Sequence, residues 1–125
     1  MTKKLDSEGL RSIVDEYDLF FIDIWGVVHN GIKLHGEAIK ALEEIARTKK
    51  DYVLLTNAPR PNATVKVFLE KMGMNKDMQK KVYTSGEAAL NYLKKNHLNE
   101  TFYHIGPPRD FDLFLDFEKN KTNDI

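Results

Sequence analysis

Apolar and polar positions along this chain alternate between two rhythms. Leu19-Phe20-Phe21-Ile22 is an unbroken apolar run that passes Asp23 to reach Ile24, and Tyr52-Val53-Leu54-Leu55 is a second, ending on Thr56-Asn57. Continuous runs of this length describe buried strands of a parallel sheet better than half-exposed ones, which alternate. Between them Ala38, Ile39, Leu42, Ile45 and Ala46 recur at helical spacing and predict a helix from about Glu37 to Arg47. Val65, Phe68, Leu69 and Met72 predict a second helix, with Asn62 as N-cap and Gly73 as its stop. Ala88, Ala89, Tyr92 and Leu93 predict a third behind Ser85, and Leu10, Ile13, Val14 and Tyr17 a short one before the first strand. Val82-Tyr83-Thr84 reads as a short extended piece, Thr101 to Ile105 as the third strand, and Phe111 to Phe117 as an apolar cluster.

Strands alternating with helices imply right-handed βαβ units. The expected fold is therefore α/β: a three-layer Rossmann-like core whose partial parallel sheet has helices on both faces, the three strands side by side in chain order. Three strands are few for such a sheet, whose faces and edges are normally covered. Residues 1–117 read as part of a core domain, and residues 118–125 as a polar tail.

Charge narrows the partners. The 19 basic and 19 acidic residues cancel, which removes the long-range attraction that duplex nucleic acid or an anionic membrane surface exploits. With no cysteine, disulfides and thiolate metal sites are excluded. No apolar run reaches the length of a membrane span, and the first residues lack the apolar core of a signal peptide. A cytoplasmic protein is the expectation.

The chemistry is at the strand ends. Asp23 follows a strand too apolar to lie open, at the sheet end where α/β proteins hold ligands. It is either an acid that caps the following loop or a nucleophile and Mg²⁺ ligand. Thr56 and Asn57 either satisfy the end of their strand or supply hydrogen bonds to the same ligand. Backbone amides from Trp25 to Val27 suit a phosphate cradle.

These residues carry a resemblance. Phe21-Ile22-Asp23-Ile24-Trp25-Gly26-Val27-Val28-His29-Asn30-Gly31 resembles the first motif of the haloacid dehalogenase (HAD) superfamily, in particular subfamily IIA, its nitrophenylphosphatase-like and sugar-phosphatase-like branch. Leu54 to Arg60 resembles the second motif, and Val82 to Ala89 and Tyr103 to Pro107 resemble later landmarks in the same order. The resemblance implies a Mg²⁺-dependent phosphatase acting on a small phosphorylated metabolite through an aspartyl-phosphate. Asp23 is then the nucleophile and a metal ligand, the backbone carbonyl of Trp25 the second ligand, and Thr56, Asn57 and Gly26 the phosphate-binding groups. His29 and Arg60 are candidates for the substrate side.

Two departures bear on that implication. Hydrolases of the family usually carry an acid/base aspartate two residues after the nucleophile, and here that position is Trp25. The alternative reading is thus a non-catalytic phosphate- or ligand-binding relative. The family's third and fourth motifs, a lysine and further acidic residues, have no counterpart in context, since neither Lys119 nor Lys121 fits. The resemblance covers only the N-terminal half of the core, without cap or C-terminal half, and implies a truncated chain that is inactive alone. Its first strand, left at an edge, is expected to favour self-association. A response-regulator-like or other nucleotide-binding module is disfavoured, because no G-x-G-x-x-G follows the first strand.

Overall fold

The computed structural model of the chain describes residues 4–79 and 81–124. Met1 to Lys3, Lys80 and Ile125, the last of them the end of the expected polar tail, lie outside that description. The sheet is parallel, with β1 (Leu19–Asp23), β2 (Asp51–Thr56) and β3 (Val82–Thr84) in that spatial order. Leu19 pairs with Asp51 and Asp23 with Leu55, while Leu54 pairs with Val82 and Thr56 with Thr84. The connections run through α2 (Gly36–Arg47) and α3 (Asn62–Lys71), which follow a short N-terminal α1 (Leu5–Glu8).

Successive strand residues point to opposite faces. Tyr52, Leu54 and Val82, with Phe20 and Ile22 beside them, form a core with Leu42 and Ile45 of α2 and Val65 and Leu69 of α3, completed by Ile24, Val28 and Met74. Two right-handed crossovers stepping the same way along a sheet bring their helices back to the same side. The opposite face shows Leu19, Phe21, Leu55 and Tyr83 to solvent, Phe21 at 69 %. The fold is the parallel, Rossmann-like α/β arrangement read from the sequence. Where that reading places helices on both faces, the core built by α2 and α3 lies on one. The edge of β1 away from β2 is unpaired among the described residues.

The third strand is a correction. Val82–Thr84 takes the place beside β2, and Phe102–Tyr103 (β4) pairs instead with Lys121–Thr122 (β5) in a separate two-stranded parallel ladder. The signal at Val82 is short because Thr84 ends the strand and at once caps α4 (Ser85–Asn96), its Oγ1 accepting the Glu87 amide at 2.9 Å. That bond also moves the helix cap from Ser85 to Thr84. Asn62, expected as an N-cap, is the first residue of α3. Its amide donates to Glu87 Oε2 and its Oδ1 accepts the Thr84 amide, both at 2.9 Å, so it ties α3 to the end of the sheet. The N-terminal helix expected over Leu10 to Tyr17 is two 3₁₀ turns, Leu10–Ser12 and Val14–Glu16.

Past α4 the chain builds a second apolar cluster of Leu90, Leu113 and Phe117, flanked by Leu93, Phe102 and Phe114. Its last part is a run of 3₁₀ turns, Pro108–Phe117, interrupted at Asp110 and Phe114. The start of α4 packs so tightly on the loop after β2 that a Cβ on Gly86 would overlap the backbone of Arg60. Backbone cannot yield as a flexible side chain does. Gly86→Ala is therefore expected to lower stability by about 1–3 kcal/mol, read as a lower urea midpoint, while Ala88→Gly on the exposed side of α4 should cost about 1 kcal/mol or less.

Candidate active site

All three strands of the main sheet end on polar residues at the same edge. Asp23 stands level with Leu55, one residue before Thr56, and Thr56 stands level with Thr84. Asp23, Thr56 and Asn57 line one cleft of about 370 Å³, with Phe21 and Leu55 as its apolar floor. The structure thus brings together three of the residues that the sequence singled out. Asp23 is exposed, and its Oδ1 accepts the Ile24 amide at 2.9 Å, which orients the carboxylate at the strand end. Thr56 Oγ1 accepts the Ala58 amide at 3.2 Å, so its own hydroxyl hydrogen is free to donate. Ser85, read from sequence as a helix cap, donates to the Thr56 carbonyl at 3.4 Å and joins this edge.

The loop after β1 is folded by its own backbone. Gly26 has φ of +79°, a conformation that side chains resist. Its amide donates to the His29 carbonyl at 2.8 Å, and the His29 amide reaches the Ile24 carbonyl at 3.4 Å. Those two bonds bridge Trp25 and His29 without using the N–H or C=O of Trp25 itself. The carbonyl expected to ligate a metal is uncommitted there, whereas the Gly26 amide expected on phosphate is engaged in closing the loop.

His29 turns inward, and Arg60 reaches toward the C-terminal segment. His29 is only 2 % exposed. Its Nδ1 accepts the Gly31 amide at 2.8 Å, which puts the proton of the neutral ring on Nε2. Burial first, and then the neighbouring His35, lower its pKa below the ordinary histidine value. Trp25 lies edge-on to His29 at 5.2 Å between centroids, and Phe68 meets the imidazole edge-on at 5.5 Å. The Trp25 ring packs so closely on Gly31 that a Cβ there would lie 2.6 Å from Cη2. Arg60 donates from Nη2 to the Arg109 carbonyl at 2.6 Å, with its Nε 3.8 Å from Asp110 Oδ1, and so joins the two halves of the fold. Thr64 makes a parallel link, donating to Asp112 Oδ2 at 2.6 Å. Trp25, His29, Phe68, Arg60, Thr64 and Thr56 surround a second cavity of about 340 Å³. Phe68 and Thr64 were legible only as helix positions. Nothing in the helical period marks which member of an apolar stripe borders a cavity.

Residues 20–117 match the haloacid dehalogenase-like hydrolase family. The chain belongs to that family. Among solved structures, the chain is similar to a haloacid dehalogenase-like hydrolase from Brucella suis 1330, at 31 % identity and a TM-score of 0.71, covering 84 % of this chain and 38 % of that one. It is similar in fold to a 4-nitrophenylphosphatase from Thermotoga maritima, at 23 % identity, a TM-score of 0.64 and coverage of 82 % and 39 %. A glycerol phosphate phosphatase from Mycobacterium tuberculosis, solved in complex with calcium, matches at 22 % identity, a TM-score of 0.60 and coverage of 82 % and 29 %. The chain thus spans about two fifths or less of the length of these structures. No curated protein sequence matches it. Among the described residues no helix is long and apolar enough to cross a membrane.

Proposed function

We propose that this HAD-like chain carries the nucleophile half of a phosphatase site, transferring phosphoryl groups from small phosphate monoesters to Asp23. The observation that carries this reading is the shared cleft: an exposed carboxylate and a hydroxyl donor at adjoining strand ends, with Asn57 beside them. Phosphoryl transfer asks a protein mainly for in-line positioning and stabilisation of charge on the equatorial oxygens. Asp23 attacks phosphorus as the ester oxygen leaves, Thr56 donates to a phosphoryl oxygen, and the Asn57 amide group adds a further donor.

The donor set suits Mg²⁺, which prefers oxygen ligands, keeps several waters and uses one or two carboxylates. Asp23 and the Trp25 carbonyl would hold it, and when bound it would neutralise charge on the transferring group. With one carboxylate, binding is weak, and the 125-residue chain by itself is expected to turn over p-nitrophenyl phosphate near background. Trp25 supports a second reading, a relative that binds phosphate without hydrolysing it, since an indole neither protonates a leaving group nor activates water.

The test is p-nitrophenyl phosphate hydrolysis with Mg²⁺ by the full-length protein and by Asp23→Asn. Loss of activity to background in the variant is expected, and equal rates in the two proteins would reject the proposal. No hydrolysis by the native protein, together with Mg²⁺-dependent binding of inorganic phosphate that Asp23→Asn abolishes, would establish the second reading.

A further inference from the structure

The cavity beside the phosphate cleft has its own chemistry. Its walls are formed by Trp25 and Phe68 with Ile24, Ala58 and Val65, and His29 is in edge contact with both aromatic rings. The imidazole is 2 % exposed and its Nδ1 is taken by the Gly31 amide, so Nε2 carries the one ring hydrogen. That N–H has no hydrogen-bond acceptor among the described residues. The N–H is not sealed in the core, where Asp112 Oδ1 is the one unpartnered buried side-chain atom among the described residues; it opens onto a volume of about 340 Å³, within the range of small-molecule sites. Arg60 adds N–H donors and Thr56 a hydroxyl donor, whereas the Thr64 hydrogen is held by Asp112 Oδ2.

We propose that this cavity binds a planar aromatic molecule bearing a hydrogen-bond acceptor, an aromatic carboxylate in the first instance. Its ring packs on the cavity wall that Trp25 and Phe68 share, and its acceptor receives the His29 Nε2 hydrogen or an Arg60 N–H. Two aromatic walls select for flatness, because ring faces and edges attract another ring beyond simple burial. His29, Arg60 and Thr56 offer donors in the state described, so an acceptor on the ligand is favoured over an ammonium group. The site is distinct from the phosphate cleft, with which it shares only Thr56.

Trp25 is the only tryptophan of the chain and lines this cavity, so its emission follows the cavity's occupancy in metal-free buffer. Benzoate titrated into the full-length protein is expected to change Trp25 emission saturably, provided Trp25 remains the sole tryptophan there; otherwise the same titration is followed on the Trp25 indole N–H resonance. Cyclohexanecarboxylate, with the same acceptor but no flat ring, should bind about tenfold more weakly. Phe68→Ala should weaken benzoate about tenfold, and since Phe68 is 41 % exposed the variant keeps its fold. Phe68→Leu, which fills the same space without a ring, gives the same answer if the alanine variant is unstable. Tyr83→Ser, on the open face of the sheet, should leave the titration unchanged. Saturating inorganic phosphate should not displace benzoate, which separates this site from the phosphate cleft whether or not the latter is catalytic. An absent or non-saturable response, equal affinity for the two acids, unaltered binding by both Phe68 variants, or displacement by phosphate would each overturn the proposal.

Discussion

Leu54→Ala is expected to destabilise the protein by about 3–5 kcal/mol, most of the stability of many domains of this size. Leu54 is wholly buried in β2, the central strand, with β1 on one side and β3 on the other. Its side chain lies in the core shared with α2 and α3, so truncation opens a cavity that three elements would have to move to fill. Truncating its neighbour Leu55, on the exposed face, should cost less than about 1 kcal/mol. The measurement is paired urea unfolding with an unchanged slope, because a changed slope would mean altered compactness and not lost stability. Similar losses in the two variants would show that the open face is covered in solution.

Trp25→Asp is expected to raise phosphatase turnover of the full-length protein by about 10²–10⁴, the usual worth of a positioned general acid/base. Position 25 lies two residues beyond the proposed nucleophile, on a loop whose backbone bonds do not depend on the indole. The gain should depend on the ester. p-Nitrophenolate leaves readily without a proton, whereas an alkoxide does not, so an alkyl phosphate should gain more than p-nitrophenyl phosphate. Equal gains for both, or none, would mean that the carboxylate does not reach the leaving group. The same change removes one wall of the aromatic cavity, so benzoate binding should fall as turnover rises.

The strands that carry Asp23 and Thr56 were legible because four consecutive residues in each share one apolar signal, and a parallel sheet needs just such runs. β3 was legible as a short extended piece but not as the third member of the sheet, because three residues that hand over to a helix cap at Thr84 cannot show a period. Thr101–Ile105 was misplaced for a related reason: apolar alternation marks an extended segment without naming its partner, and that partner proved to be Lys121–Thr122. At the site, Asp23, Thr56 and Asn57 could be brought together from sequence, since the ends of adjacent parallel strands must meet. The inward turn of His29 could not. It depends on the Gly31 amide and on Phe68, some forty residues away along the chain.

The division of the apolar residues into two clusters has a consequence for how the molecule comes apart. One cluster belongs to β1, β2 and β3 with α2 and α3, the other to the end of α4, β4 and the 3₁₀ turns. Between the loop and helix that follow β2 and the turns at Arg109 to Asp112, the links named above are polar and short in reach: Arg60 to the Arg109 carbonyl and Asp110, and Thr64 to Asp112. Polar links of this kind are worth about 1 kcal/mol each against water. The C-terminal segment can therefore detach as a unit while the sheet stays closed, in the manner of a subglobal opening. Amides of Phe102 and Asn120 then exchange with solvent earlier than that of Leu54, and the seam between them runs along Arg60.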